Sequence, residues 1–478
     1  MSSPPRIAVE DTDRFLSVLN EHGAFFNREK PVFCARAPAR LDLMGGIADY
    51  SGSLTLELPL MHATYASVQY DERKLLTLMS TAARDIDSDD TVVVPLTAIT
   101  KARPGSLYNS LRDLVTNNPR TAWAAYVAGV PAVLATEKNV EFKHGLRILV
   151  HSFVPPASGI SSSAALEVAV MNAVAAHMGI ELDGKECAVL CQKVENHVVG
   201  APCGIMDQMT SACGEQDKLL ALLCQPAALQ PLLDIPVSYE IWGINSGIRH
   251  AVSGADYGSV RTGAFMGYRM CAETAGFPIK KCGNGMVEID DTIWNGYLAN
   301  ITPAQWESHY RESVPEQISG ADFLKTCDGI TDPVSVIDPQ KHYAVRNPTA
   351  HPIHEHFRVS AFRKLMEDAS QDPDTGILLG EYMYQSHASY SACGLGSDGT
   401  DLIVDLVRER GPKLGLYGAK ITGGGSGGTV AVLAEKGRRR ELENIVADYE
   451  EKSGRDALVI GGSSPGAEQF GSFKLCCE

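Results

Sequence analysis

The sequence lacks the signatures by which most nucleotide-binding proteins are first identified. It contains no Gly-x4-Gly-Lys-Ser/Thr phosphate loop, since Gly184-Lys185 is followed by Glu186, and it contains no His-Arg-Asp kinase motif. Its 12 cysteines are scattered and include no Cys-x-x-Cys pair. Any phosphate site must therefore be built differently, and a compact disulfide or zinc framework is not indicated.

Basic charge and long apolar runs are also scarce. With 42 Lys and Arg against 58 Asp and Glu, the net charge is −16. This excess argues against nucleic acid and against an acidic membrane surface as partners. No run approaches the roughly 20 apolar residues of a membrane span, and residues 1–15 hold no apolar leader segment. We expect a reduced, soluble, cytoplasmic protein, with the oligomeric state left open, a monomer included.

The most informative stretch is a serine-rich turn at residues 155–163. A mostly apolar strand at 146–154 precedes it, and an Ala-rich segment with helical spacing follows it. The turn therefore opens into a helix N-terminus, where unpaired N–H groups and the helix dipole attract anions. Gly159 allows a close backbone approach, and serine hydroxyls add donors or a ligand for Mg²⁺. An ordinary serine N-cap is the alternative, but three consecutive serines favour a phosphate site.

The first charged motif is Ala-Pro-Ala-Arg-Leu-Asp at residues 37–42. We expect a short strand, then a loop with two glycines that carries Arg40, Asp42 and Asp49, and a second strand over 54–60. Charges among apolar neighbours are costly unless they are paired or functional. A structural Arg–Asp ion pair that ties the loop is the alternative.

Two further carboxylates stand on faces that otherwise read as buried. Glu195 shares a helical stripe with Cys187 and Cys191, so it needs a cation. Asp207 lies among apolar residues, where a buried helix-cap aspartate is the alternative. A zinc site from these cysteines with His197 and Cys203 matches no standard spacing, and we set it aside.

Three other segments contribute less specific signals. Trp123 and Tyr126 share a helix face, which indicates core packing or stacking of Trp123 on an adenine. The match to Gly-x-Gly-x-x-Gly at 394–399 follows a helix and predicts a helix–helix connection. The glycines at 423–428 lie between strand-like flanks and predict a tight hairpin that approaches a ligand.

Together these motifs resemble the GHMP kinase superfamily. The resemblance rests on residues 37–42, 155–165 and 422–428, in that order. Glu195 followed by Cys-Gly-Ile-Met-Asp-Gln at 203–208 is similar to the galactokinase subgroup. Residues 44–52, 247–250 and 254–258 resemble its L-arabinokinase branch, specifically the kinase half that in plants commonly follows a glycosyltransferase-like half.

The sugar loop at 45–52 departs from the galactokinase pattern. Galactokinases read Gly-Glu-His-Thr-Asp-Tyr-Asn-Gly, whereas this chain reads Gly-Gly-Ile-Ala-Asp-Tyr-Ser-Gly. The resemblance gives Asp49 the ring hydroxyls, while Gly46 and Ile47 replace the residues that address the 6-hydroxymethyl arm. L-Arabinose has the ring of D-galactose without that arm, and an unpaired 6-hydroxyl would cost roughly 1–3 kcal/mol. Restoring both residues, by Ile47→His with Gly46→Glu, is expected to raise galactose activity.

The resemblance implies ATP-dependent phosphorylation of the anomeric hydroxyl of L-arabinose, giving β-L-arabinose 1-phosphate, with Mg²⁺. Asp207 and Arg40 would be catalytic, with Asp207 either a general base or an electrostatic anchor. Ser163 and Glu195 would hold the metal. The remaining implied site residues are, for the sugar, Asp49, Gly46, Ile47, Gly204 and Tyr257; for the nucleotide, Gly159, Ser161, Ser162, Ser163 and Trp123; and for a loop that supports the site, Gly423, Gly424, Gly425 and Gly427.

The implied fold is a two-lobed α+β kinase with its site in the cleft between domains. The N-terminal domain would span 1–234 and the C-terminal domain 235–478, with an irregular, mostly helical insertion near 276–340. A kinase for galactose, fucose or a uronic acid is an alternative. A uronate is disfavoured because residues 45–52 contain no basic side chain to pair with its carboxylate. A non-catalytic sugar and ATP sensor is the alternative of another class, against which Arg40, Glu195 and Asp207 all argue.

Overall fold

The computed structural model describes residues 6–83, 87–100, 107–248, 255–368 and 373–476. Residues 84–86, part of a charged hairpin expected near 84–90, lie outside the described residues. So do residues 249–254, which carry part of two resemblance motifs, and the side chain of Asp256. The fold is α+β, as predicted, and is built around two sheets.

The first sheet has nine strands and forms the N-terminal lobe. Its main path runs β17-β1-β2-β5-β3-β4, and β6 pairs with β2, β7 and β8. The second sheet is antiparallel and runs β14-β15-β9-β16. The strands are β1 (Val32–Met44), β2 (Leu54–Asp71), β3 (Leu75–Ser80), β4 (Thr91–Pro95), β5 (Gly145–Ser152), β6 (Lys218–Leu223), β7 (Ala228–Leu229), β8 (Leu233–Asp234), β9 (Tyr239–Asn245), β10 (Ile279–Gly283), β11 (Met286–Ile289), β12 (Gln317–Ser319), β13 (His342–Ala344), β14 (Leu416–Ile421), β15 (Thr429–Glu435), β16 (Leu458–Ile460) and β17 (Ser472–Leu475).

Helices cover the sheets and supply most of the buried apolar surface. The α-helices are α1 (Asp11–Glu21), α2 (Thr97–Thr100), α3 (Leu107–Thr116), α4 (Ala124–Glu137), α5 (Ser162–Met178), α6 (Gly184–Lys193), α7 (Met206–Cys213), α8 (Ala255–Thr274), α9 (Pro303–Gln305), α10 (Gly320–Cys327), α11 (Arg346–Glu367), α12 (Pro373–Ala392), α13 (Asp398–Arg410), α14 (Arg439–Ser453) and α15 (Ala467–Phe470). In the described part of the chain, no helix is long and apolar enough to cross a membrane.

Two apolar clusters determine how these layers meet. Small residues of α5, such as Ala169, pack against the first sheet together with α4, so the helix lies close to β1 and β2. A second cluster joins both lobes, because Leu41 of β1, Leu433 of β15 and Phe362 of α11 belong to the same buried core. The lobes therefore share a core where they meet.

The N-terminal charged motif lies in a strand and not in the expected loop. β1 continues through Met44, so Arg40 and Asp42 are strand residues, and the loop begins only at Gly45. The sequence prediction was wrong here because two charges and a proline interrupt the apolar pattern. The strand tolerates these buried charges because their partners come from distant elements, as described below.

The other elements lie close to the predicted positions. A helix follows the serine-rich turn, the glycines at 423–428 connect antiparallel β14 and β15, and those at 394–399 connect α12 to α13. Between 276 and 340 the chain forms short helices together with an unpredicted hairpin of β10 and β11. The domain division at 234/235 stays a prediction: β9 begins at Tyr239, while β17 returns to pair with β1.

A buried ion pair connects the two sheets. Lys420 of β14 places Nζ 2.8 Å from Oδ2 of Asp42 in β1, and both side chains are fully buried. The same Oδ2 accepts a hydrogen bond from Gly423 N at 3.1 Å and lies 3.2 Å from Tyr390 Oη. The pair thus fixes the N-terminal charged motif against the glycine hairpin.

We expect Lys420→Met to lower the free energy of unfolding by about 3–5 kcal/mol, because Asp42 would be left buried without its cation. Adding Asp42→Asn should recover part of the loss, since the uncompensated charge disappears. Lys280→Met, in the exposed pair with Glu288, serves as the control and should cost less than about 1 kcal/mol. Urea unfolding measures all of these, and equal losses for Lys420→Met and Lys280→Met would contradict the assignment.

Candidate active site

A cavity of about 570 Å³ lies where the lobes meet. It brings together fourteen of the site residues proposed from the sequence, although they come from distant parts of the chain. Those that line it are Arg40, Ile47, Asp49, Trp123, Gly159, Ser161, Ser162, Ser163, Glu195, Gly204, Asp207, Tyr257, Gly423 and Gly424, of which Gly424 and Gly423 belong to the glycine hairpin. Gly46, Gly425 and Gly427 do not line it. Gly425 instead packs against Leu395, and Gly427 packs against Ile248.

The serine-rich turn forms the start of α5. Ser161 is the N-cap and has φ +58°, while Ser162 and Ser163 are the first helical residues. Gly159 has φ +74°, a conformation that favours glycine. Three hydroxyls thus stand at the positive end of a 17-residue helix, facing the cavity. This arrangement suits a phosphate group.

The glycine hairpin packs directly on this turn. A Cβ at Gly423 would lie 2.8 Å from the carbonyl oxygen of Gly159, so only glycine allows this approach. From β15, Thr429 Oγ1 donates to the carbonyl of Ser158 at 2.7 Å. The second lobe therefore holds the turn in place from behind.

Asp207 and Arg40 form the polar centre of the cavity. Arg40 Nε donates to Asp207 Oδ1 at 2.9 Å, and Nη2 lies 2.8 Å from the same oxygen. The other oxygen, Oδ2, accepts a short hydrogen bond from the Ser161 hydroxyl. Arg40 Nη1 also donates to the carbonyl of Gly159 at 3.1 Å. The carboxylate is thereby oriented at the mouth of the serine turn.

Other acidic residues hold the guanidinium of Arg40 from behind. Glu57 of β2 is fully buried, and its Oε2 lies 3.3 Å from Arg40 Nε. Burial alone would lower the pKa of Arg40, but the charges of Asp207, Glu57 and Asp42 raise it instead. The arginine therefore stays charged in a nearly dry environment.

Glu195 is a second buried carboxylate at the cavity wall. Its Oε2 accepts from Gln208 Nε2 at 2.6 Å, and Ser163 lines the same cavity. Burial, followed by the negative charge of Asp207, raises the pKa of Glu195 to about 7. Gln208 also reaches Glu167, whose pKa burial and the charge of Glu195 raise well above its usual range.

This set of donors fits a divalent cation shared with phosphates. Glu195 and the Ser163 hydroxyl are hard oxygen ligands, and no described Lys or Arg side chain pairs with Glu195. Within the described residues, no three His, Cys, Asp or Glu side chains gather as a self-sufficient metal cluster. A cation here would therefore need further oxygen ligands from a bound molecule. Cys187 and Cys191, which were considered for a zinc site, are free, buried thiols.

Asp49 and Gly204 lie at another part of the cavity wall. A Cβ at Gly204 would lie 1.6 Å from Asp49 Oδ2, so any side chain at this position would displace the Asp49 carboxylate. Asp49 Oδ1 is buried and has no hydrogen-bond partner among the described residues. Burial, then the charge of Asp207, raises the pKa of Asp49 to about 6. An unsatisfied buried acceptor in a cavity fits a ligand hydroxyl.

Ile47 presents an apolar side chain to the same cavity. It has φ +50°, which for a β-branched residue costs about 1–3 kcal/mol. Gly46 beside it has no room for a side chain, since a Cβ there would lie 1.9 Å from Tyr390 Oη and 2.1 Å from Asp42 Oδ2. The exchange Gly46→Glu would therefore displace Tyr390, and a test of the sugar loop must use Ile47 alone.

Two aromatic residues complete the wall. Trp123 caps α4 and donates from Nε1 to the carbonyl of Asp89 at 2.9 Å, and one side of it packs on the core. Tyr257 lies in the first turns of α8, with its ring edge-to-face to Tyr50 at 6.0 Å. Trp123 and Tyr257 both line the cavity. The two roles predicted for Trp123, core packing and contact with a ligand, are therefore compatible.

Sequence reasoning missed the residues that support the cavity. Glu57, Lys420 and Gln208 act on residues it did find. Lys420 is the only charged residue in strand β14, and this pattern could have suggested it as the partner of Asp42. Gln208 follows Asp207 directly, yet its side chain contacts emerge only from the packing of α7 against α6 and α5.

Family models agree with this geometry. The model described as the GHMP kinases N terminal domain matches residues 125–215, and the GHMP kinases C terminal model matches 364–452. The galactokinase galactose-binding signature matches residues 20–70. The matched regions contain the serine turn, the helices of the second lobe, and the strand and loop of the charged motif.

Individual proteins give the same answer. The chain is 41% identical to an L-arabinokinase of Arabidopsis thaliana over 95% of its length, and it spans 48% of that protein. It is 27% identical to a galactokinase of Chloroflexus aggregans, covering 89% of this chain and 90% of the relative. The fold matches the Lactococcus lactis galactokinase complexed with galactose with a TM-score of 0.70 and 20% identity, over 95% of this chain and 99% of that one. Its motifs, its fold and these relatives thus agree that the chain carries the N-terminal and C-terminal domains of the GHMP kinases.

Proposed function

We propose that this chain is an ATP-dependent sugar-1-kinase that phosphorylates the anomeric hydroxyl of L-arabinose and yields β-L-arabinose 1-phosphate. The observation that carries the proposal is the position of Asp207, held between Arg40 and the serine turn at the mouth of α5. A carboxylate so oriented beside a phosphate-binding helix N-terminus suits an attacking hydroxyl. The L-arabinokinase of Arabidopsis thaliana supports the same activity.

The proposed reaction is an in-line phosphoryl transfer. A bond forms between the anomeric oxygen and the γ-phosphorus of ATP, and the bond to the β–γ bridging oxygen breaks, so ADP leaves. The proton of the anomeric hydroxyl passes to Asp207 if Asp207 is a base, or to solvent if it is an electrostatic anchor. Arg40 orients Asp207 and stabilises its charge in both cases.

The serine turn is the proposed phosphate site. Hydroxyls of Ser161, Ser162 and Ser163 and the N–H groups at the start of α5 would bind the phosphates, with Gly159 allowing close approach. The hairpin glycines keep the turn in position from the second lobe. Trp123, which lines the same cavity, would stack on the adenine.

Ser163 and Glu195 are the residues proposed to hold Mg²⁺. Bound there, the ion would neutralise phosphate charge and orient the γ-phosphoryl group. The chain itself contributes an ordered Glu195 carboxylate, fixed by Gln208. Its pKa of about 7 indicates a site that favours a cation once the carboxyl loses its proton.

Asp49, Gly204 and Tyr257 are the proposed sugar contacts. The free Oδ1 of Asp49 would accept from ring hydroxyls, and Gly204 leaves room for that carboxylate. Ile47 closes the pocket with an apolar surface, which supports a sugar without a 6-hydroxymethyl arm. D-Galactose is the alternative sugar, favoured by the galactose-binding signature over residues 20–70.

Asp207→Asn is expected to lower turnover of L-arabinose by about 10²–10⁴-fold, because the amide neither accepts the proton nor carries the charge. ADP release in the presence of Mg-ATP measures it, with thermal unfolding as the check on folding. Asp217→Asn, an exposed aspartate outside the cavity, is the matched control and should keep full turnover. Near-normal turnover in Asp207→Asn would refute the assignment.

Replacement of Ile47 tests the sugar preference. Ile47→His should lower the ratio of kcat/KM for L-arabinose to that for D-galactose by about tenfold, since it supplies a polar partner for the extra hydroxyl. Histidine also tolerates φ +50° better than isoleucine does. Ile47→Leu is the apolar control and should keep the ratio. If both variants behave alike, the loop does not select the sugar through Ile47.

The pH dependence of sugar binding tests Asp49. Because its pKa of about 6 lies above the ordinary value, the stability that this group contributes is full below the ordinary value and is lost as pH rises through 6. Ionised Asp49 is also the better acceptor, so KM for L-arabinose should rise as pH falls through 6. Asp49→Asn should bind sugar weakly at all pH values and unfold at a higher temperature at pH 7.5. A pH-independent KM in the wild type would contradict this.

A further inference from the structure

The backbone of the sugar loop is held from the second lobe by side chains of α11. On α11, Glu355 Oε1 accepts from Gly45 N at 3.1 Å, and His351 Nε2 lies 3.0 Å from the carbonyl oxygen of Gly46. The two side chains are four residues apart on one helix face. Two successive residues of the loop are therefore fixed by one helix turn.

Helix α12 holds the two gripping side chains in turn. Ser386 Oγ donates to Glu355 Oε1 at 2.7 Å, and Ser389 Oγ lies 2.8 Å from His351 Nδ1. A carbonyl oxygen only accepts, so His351 must carry its proton on Nε2 and accept from Ser389 through Nδ1. His351 and Glu355 are 1% and 0% exposed, and burial lowers the pKa of His351 to about 4, so the ring is neutral.

Tyr390, also on α12, occupies the space above Gly46. Its hydroxyl donates to the carbonyl of Gly423 at 2.9 Å, and its ring belongs to the apolar cluster that contains Ile47. The loop thus packs against Tyr390 and is held at Gly45 and Gly46, the two residues that precede the cavity-facing Ile47. Such over-determination explains how Ile47 keeps a backbone conformation that isoleucine disfavours.

We propose that His351 is a positioning residue for sugar selectivity: by holding the carbonyl of Gly46 it keeps Ile47 turned into the cavity. This inference rests on the proposed sugar kinase function and deepens it. His351 does not line the cavity, so it acts through the loop and not on the sugar. The determinant of the sugar preference therefore extends to a helix that begins about 300 residues after the loop.

Paired substitutions at His351 separate positioning from packing. Gln places its amide nitrogen near the position of Nε2 and keeps the donor to Gly46, whereas Asn is too short to reach. His351→Asn should raise KM for L-arabinose about tenfold and lower the L-arabinose to D-galactose preference, with KM for ATP changed less than about twofold. His351→Gln should stay within about threefold of the wild type on all three measures.

His387→Asn is the control for the loss of a buried histidine. His387 lies on α12, where it approaches Asp401 at 3.2 Å, and it makes no hydrogen bond to the sugar loop among the described residues. It should leave the sugar preference and both KM values unchanged even if it lowers the unfolding temperature. Hydrogen exchange supplies a readout other than activity: the amide of Gly45 and its neighbours should exchange faster in His351→Asn than in His351→Gln.

The outcomes distinguish this inference from the proposed function. If the wild type phosphorylates no sugar, the proposed function fails, and this inference fails with it. If the wild type phosphorylates L-arabinose and His351→Asn keeps its sugar KM and preference, only this inference fails. It fails equally if His351→Asn and His351→Gln lose activity alike, or if KM for ATP rises as much as KM for the sugar.

Discussion

The buried contact between Asp42 and Lys420 is the constraint on which the arrangement of the site depends. It joins strand β1 of the first sheet to the edge strand β14 of the second, and the same carboxylate also accepts from the first glycine of the hairpin. Arg40 stands two residues from Asp42 on the same side of β1, so its reach to Asp207 depends on that strand being in place. A buried ion pair is by itself weak evidence for stability, but this one fixes the position of the first sheet relative to the second.

The parts of the site that local chemistry specifies were predictable from the sequence. The serine turn and the glycine hairpin carry their own signals, and the structure has both where they were expected. Arg40 and Asp42 were misplaced in a loop because their compensating charges, Glu57 and Lys420, lie in other strands. The role of His351 could not be predicted, because the sequence of a helix does not show whether a histidine faces solvent or hydrogen-bonds a distant backbone carbonyl.

The cavity concentrates carboxyl groups whose ionisation is opposed by burial. Asp49 and Glu195 have raised pKa values, and Asp207 contributes to both shifts. In the free protein these charges cost stability, and bound ligands that pair with them would offset the cost. The residues proposed to act in the site therefore lower the free energy of unfolding of the ligand-free protein. Such a trade-off between activity and stability is common.

The pairing of β17 with β1 also orders events during synthesis. Val32 lies opposite Leu475, and Asp42 meets Lys420, so strand β1 emerges from the ribosome long before either of its late partners. Until then the nascent chain carries an open sheet edge and an uncompensated carboxylate in its future core, both of which favour misassembly or capture by chaperones. A chain that stalls before the glycine hairpin would contain the serine turn and Asp207. It would lack the contacts of Gly423 and Thr429 that keep the turn in position.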